Sequence, residues 1–132
     1  MAQVNFNRRD PIYLQVIEYF RRKFVGDELL LGEELPSRRQ IASQLGINPN
    51  TVQRAFSEME EKHWIYTEPN RPSRVTENPA VIQALKQEYV QKAVKEFVAS
   101  IQTIDITYEQ VAELIADEIE KQNEKNGGSQ DD

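Results

Sequence analysis

The sequence contains no cysteine and a single histidine, His63. Without thiols there is no disulfide framework, no thiolate nucleophile and no thiolate metal site. One histidine with no cysteine to join it cannot complete the ligand sets of common zinc sites, so no metal is expected. Glycine is sparse, at 5 of 132 residues, and no glycine-rich phosphate loop occurs. No stretch approaches the roughly 20 apolar residues needed to span a bilayer. The opening MAQVNFNRRD lacks the apolar core of a signal peptide. The expectation is a soluble, cytoplasmic protein that needs no cofactor. Catalysis finds little support, since His63 has no evident triad partner.

Net charge is −6, which by itself argues against a polyanionic partner. Its distribution argues otherwise. Residues 1–78 balance 11 basic against 11 acidic side chains, whereas residues 79–132 hold 5 basic and 11 acidic ones. The acidic excess therefore lies wholly in the second part, a hint of separated roles. Between Glu34 and Glu58 there is no carboxylate at all, while Arg38, Arg39 and Arg54 are present. A contact face for nucleic acid needs that gap, because carboxylates would repel the phosphates.

The same stretch, LPSRRQIASQLGINPNTVQRAFSEMEEK, predicts two helices and a tight turn. Ser37 with Gln40 makes a capping box. Ile41, Ala42 and Leu45 give an apolar face, and Gly46 suits a left-handed end. Asn48 followed by Pro49 starts the second helix. Val52, Ala55, Phe56 and Met59 recur at helical spacing, which turns Asn50, Arg54 and Ser57 outward, with Thr51 and Gln53 on the flanks. Amide, hydroxyl and guanidinium groups placed so can read base edges or hold phosphates. The bland alternative is a helical hairpin with a solvated polar face.

The flanking segments extend the pattern. Met1 to Arg9 is a polar arm, and Asp10-Pro11 reads as another cap-plus-proline start. Tyr13, Val16, Ile17, Phe20 and Phe24 then mark an amphipathic helix of roughly 14 residues. Leu29, Leu30 and Leu31, between Gly26 and Gly32, read as a short extended segment added to the core. After Lys62, residues 64–67 and 73–76 are β-prone around a turn at Glu68 to Pro72. This hairpin displays Asn70 and Arg71, with Arg74 close behind, and a cationic hairpin can enter a minor groove or clamp a backbone.

Asn78-Pro79 opens the second part. Ile82, Leu85, Tyr89, Ala93 and Phe97 form one stripe, widened by Val90, Val94, Val98 and Ile101. Thr107 with Gln110 caps a last helix lined by Val111, Leu114, Ile115 and Ile119. Two helices cannot bury such stripes alone. They can pack on the first domain or on a second copy, and a second copy is favoured, because two-fold DNA readers span paired half-sites. Glu109, Glu113, Asp117 and Glu120 suggest a solvated acidic face rather than a metal cluster. From Lys121 the chain turns polar, and residues 124–132 are expected to be disordered.

The expected fold is mainly α with a small β-hairpin: a winged helix-turn-helix over 1–77, then a two-helix dimerisation region over 78–123. PIYLQVIEYFRRK, the LPSRRQ to WIYT stretch and NRPSRV, in this order and spacing, resemble the winged helix-turn-helix of GntR-type bacterial transcriptional regulators. The NPNTV run and the short second part are similar to the YtrA-like subgroup. The resemblance implies DNA contacts by Arg39, Asn48, Asn50, Thr51, Arg54, Asn70 and Arg71, and a dimeric repressor of nearby transport genes. Many members have arginine where this chain has Pro49 and Gln53, and glycine where it has His63 and Asn70. Asn70 can take the left-handed conformation that glycine would.

Together these residues form the expected DNA-binding set: Arg38, Arg39, Asn48, Asn50, Thr51, Gln53, Arg54, Asn70, Arg71 and Arg74. The expected dimer set is Ile82, Leu85, Tyr89, Ala93, Phe97, Leu114 and Ile115. The expected partners are double-stranded DNA and a second copy of the chain. No effector is named by any motif. The competing reading is a winged-helix protein-interaction module, against which the acid-free stretch argues.

Overall fold

The computed structural model describes residues 5–130. The chain forms two compact units that divide between Val94 and Lys95. Five helices and one hairpin follow in the order α1 (Ile12–Val25), α2 (Arg38–Leu45), α3 (Pro49–Glu61), β1 (Ile65–Tyr66), β2 (Arg74–Val75), α4 (Pro79–Ile101) and α5 (Tyr108–Gln130).

Local chemistry sets most of the element ends. Ser37 Oγ accepts from Gln40 N at 3.1 Å while Gln40 Oε1 accepts from Ser37 N at 2.9 Å, the reciprocal box expected at the start of α2. Gly46 ends α2 in the left-handed region at φ 67°. Asn48 Oδ1 caps α3 by accepting from Asn50 N at 2.8 Å, and Pro49 takes the first helical position. Asn78 caps α4 and Thr107 caps α5 in the same way, at 3.0 and 3.1 Å. The start of α1 corrects the expected Asp10-Pro11 cap. Pro11 itself is the N-cap, and its carbonyl accepts from Leu14 N at 3.1 Å. Asn7 Oδ1 takes the upstream N–H groups of Arg9 and Asp10 instead.

The core of the first unit forms where α1, α2 and α3 converge. Val16 and Phe24 from α1, Val52, Ala55 and Met59 from α3, and Val75 from the hairpin are fully buried. Phe20 meets Phe56 edge to face, with centroids 5.8 Å apart. Aromatic pairs favour this arrangement, because the positive ring edge meets the negative face. The hairpin pairs Ile65 with Val75 and Tyr66 with Arg74. Its strands are shorter than predicted, since Pro69 and Pro72 flank the turn and cannot donate to a ladder. A backbone bridge from Glu34 to Arg74 ties the segment after α1 to β2. Tyr66 donates to Glu77 Oε1 at 2.9 Å, and this bond to a carboxylate holds the phenol pKa above its usual value.

Three expectations need correction. Leu30 and Leu31 stay exposed; Leu29 is the one of the three that packs against the core. Ile82 and Leu85, expected in the dimer stripe, are 7% and 3% exposed and complete the first unit's core, so they cannot face a partner. The helix α5 continues to Gln130, through most of the segment expected to be disordered. Glutamate, lysine and glutamine are good helix formers, and Glu118 accepts from Gln122 one turn on. Residues 1–4 of the expected arm and 131–132 of the expected tail lie outside the described residues.

His63 sits at φ 64°, directly after the C-cap of α3. His63 N and Trp64 N bond back to Glu60 O and Met59 O, both at 3.0 Å, in the pattern that glycine favours at this position. A side chain held left-handed costs about 1–2 kcal/mol. Glycine there removes that cost but adds chain entropy to the unfolded state. His63→Gly is therefore expected to raise unfolding stability by about 0.5–1 kcal/mol. A lower or unchanged midpoint in denaturant would show that the turn carries no strain.

Candidate nucleic-acid interface

The start of α3 is the centre of the site. Its first-turn N–H groups are spent on Asn48, since Asn50 N bonds the Asn48 side chain at 2.8 Å and Thr51 N the Asn48 carbonyl at 3.0 Å. The helix dipole still makes this end positive, which favours phosphate. Asn50, Gln53, Arg54 and Ser57 are exposed and Thr51 is half-buried, as the helical spacing requires once Val52, Ala55 and Phe56 face the core. Gln53 Nε2 donates to Ser57 Oγ at 3.1 Å, which fixes the amide along the outer face. Asn48 uses its carbonyl oxygen for the cap and keeps its amide N–H groups available.

Arg39 is exposed in the first turn of α2. At the hairpin tip Arg71 N bonds to Glu68 O at 3.1 Å, with Pro69 and Asn70 as the central residues. Asn70 has φ 60°, so this is the left-handed position that suits asparagine or glycine. The turn holds Arg71 outward. Arg71 and the start of α2, with Ser37 and Gln40, flank one groove of about 670 Å³.

Two arginines of the expected set have internal partners. Arg38 Nη2 bonds Glu60 Oε1 at 3.1 Å, and its guanidinium lies 4.8 Å from the centre of the Phe56 ring. It braces α2 against α3. Arg74 donates to Gly32 O and to Glu34 Oε1, each at 2.8 Å. It locks the root of the hairpin to the segment after α1. Both pairs also neutralise carboxylates that border the acid-free stretch, an indirect benefit to an anion-binding face. Arg38 and Arg74 thus act as supports within the unit, and both remain half-exposed. The structure brings Arg39, Asn48, Asn50, Thr51, Gln53, Arg54, Asn70 and Arg71 to the surface of one unit.

One neighbour of the site was not legible in the sequence. Tyr13, read as part of the apolar stripe of α1, lies under the Arg54 guanidinium, 3.7 Å from ring centre to the guanidinium carbon. Helical periodicity on α1 signals burial, not which later side chain covers the ring.

A polar helix face left open by the rest of its unit, beside a hairpin with an arginine at its tip, defines the class: a winged helix-turn-helix. Residues 12–75 match the family described as Bacterial regulatory proteins, gntR family. The uncharacterized HTH-type transcriptional regulator YhcF of Bacillus subtilis is 34% identical over 110 residues, 83% of this chain and 91% of the relative. The chain belongs to the GntR family. The HTH-type transcriptional repressor YtrA of Bacillus subtilis is 33% identical over 78 residues, 59% of this chain and 60% of that protein. Among solved structures, a GntR family transcriptional regulator from Listeria monocytogenes superposes with a TM-score of 0.74 at 28% identity, over 85% of this chain and 98% of the other. These relatives are named as regulators, and no helix among the described residues is long and apolar enough to cross a membrane.

Proposed function

We propose that the chain is a sequence-specific DNA-binding transcriptional regulator, acting in the cytoplasm as a homodimeric repressor on a two-fold operator. The observation that carries this is the outer face of α3, where Asn50, Gln53, Arg54 and Ser57 are exposed and no carboxylate lies between residues 35 and 57. The face offers donors and acceptors to base edges without repelling phosphates. YtrA-like resemblance and the printed name of that relative support repression, and the resemblance extends the reading to neighbouring transport genes. The function is binding, not catalysis, and needs no cofactor.

Dimerisation is supported by the apolar stripe left uncovered along α4. Tyr89 is 40% and Phe97 41% exposed, and Ala93 lies between them at helical spacing. Leu114 and Ile115 expose apolar surface on α5. A two-fold contact would cover these side chains with their own copies.

Selection from a random DNA pool tests the reading. The expected result is an enriched inverted repeat, bound at least about a thousandfold more tightly than unrelated DNA. A pool with no enriched sequence overturns it. Two variants then divide the face. Arg54→Ala is expected to relax preference at one base pair per half-site, by about 1–3 kcal/mol. Arg39→Ala is expected to weaken all sequences alike and to lower the salt slope by about one unit, as loss of a phosphate contact does. Wild-type behaviour in both would mean that the contact face is misassigned.

A further inference from the structure

We propose that Tyr13 is a positioning residue for base recognition, its ring holding the Arg54 guanidinium ready to bond a guanine edge in the major groove; this rests on the DNA-binding function proposed above. Arg54 lies one helical turn before Glu58, the usual spacing for a salt bridge along a helix. Among the described residues it forms no ion pair or hydrogen bond, either with Glu58 or with any other side chain. It stacks on Tyr13 instead, at 3.7 Å. The ring occupies one side of the guanidinium, whose N–H donors carry no hydrogen bond or ion pair among the described residues. Those donors match the O6 and N7 acceptors of guanine.

The other cation–ring contacts differ in this respect. Arg38 lies over Phe56 but gives Nη2 to Glu60. Lys23 lies over Tyr19 at 5.0 Å and pairs with Glu28. Lys62 stands 5.9 Å from Trp64, a looser contact. Arg54 combines the shortest ring distance with open donors. An arginine held this way loses less rotamer freedom when it binds, and that saving appears as affinity for the matched base. Tyr13 is itself half-buried against the core, so the platform is fixed.

The test measures base preference in the full-length chain, using the sequence selected by the wild type and its single-base variants. Tyr13→Leu is expected to lose about threefold to tenfold in affinity for the selected sequence. The loss should fall on the base pair that Arg54→Ala relaxes, with affinity for unrelated DNA and the salt slope unchanged. Tyr13→Phe keeps the ring and is expected to match the wild type. Tyr13→Leu added to Arg54→Ala should cost nothing more. Preference is a ratio between two DNAs, so a partly unfolded variant still reports it, and Tyr13→Met gives a second ring-free variant of different shape. Wild-type preference in both ring-free variants overturns the proposal, as does tighter specific binding, which would mean that the ring parks Arg54 away from DNA. If the wild-type chain selects no sequence, the DNA-binding reading falls and this proposal with it. If the wild type selects a sequence and the ring-free variants read it equally well, this proposal falls alone.

Discussion

Phe56→Ala is expected to destabilise the first unit by about 3–5 kcal/mol, the range for removing a buried phenylalanine. Phe56 is 1% exposed and packs between two partners. Its ring meets Phe20 edge to face at 5.8 Å, Arg38 covers it at 4.8 Å, and its helix carries the candidate recognition residues. Truncation would open a cavity, remove the aromatic pair and leave Arg38 without its platform. Small domains hold only about 5–15 kcal/mol in total, so the loss takes a large share. Denaturant unfolding of the full chain is the measurement, with DNA binding followed across the same range. Specific binding should fail at a lower denaturant concentration than in the wild type, because the outer face of α3 exists only while its inner face is packed. Leu30→Ala is the control: Leu30 is 56% exposed, and its loss should leave the midpoint nearly unchanged. A Phe56→Ala cost below about 1 kcal/mol would mean that the core tolerates the cavity by collapse.

The legible parts of this fold were those governed by neighbours in sequence. Ser37 with Gln40, Asn48 with Pro49, Asn78 with Pro79 and Thr107 with Gln110 act within one helical turn, and each stands where the sequence puts it. Apolar spacing on α3 likewise gives both its buried and its open face. Arginine partners are another matter. Nothing local says that Arg38 meets Glu60, that Arg74 meets Glu34, or that Arg54 prefers the Tyr13 ring to Glu58. Those choices depend on how α1, α2, α3 and the hairpin cross, and they separate exposed cations from internal braces. The apolar stripe of α4 shows the same limit. Ile82 and Leu85 share spacing and chemistry with Tyr89 and Phe97, yet the first pair is buried in the core and the second is 40% and 41% exposed. Periodicity marks a face, whereas the reach of the core along the helix decides what covers it.

That exposed remainder carries the prediction with the largest functional effect. Phe97→Asp is expected to leave a monomer at micromolar concentration and to cut operator affinity by at least about a hundredfold, the scale lost when two linked readers are separated. Phe97 is 41% exposed, and Val94 and Val98 beside it are 52% and 53% exposed, so the single chain leaves apolar surface in water here. In a two-fold contact each Phe97 would meet the same neighbourhood on its partner. Aspartate would place two like charges in that apolar seam, at a cost of several kcal/mol unless they were paired or protonated. The core of the first unit does not include Phe97, so its unfolding midpoint should hold apart from any stability that dimerisation adds. The face of α3 is untouched, so a footprint at high protein concentration should still show protection of single half-sites. Sedimentation and operator titration together give the answer. A variant that still sediments as a dimer and binds the operator at wild-type affinity places the contact on another surface. A wild-type chain that is itself monomeric when bound to its selected DNA removes the two-fold reading altogether.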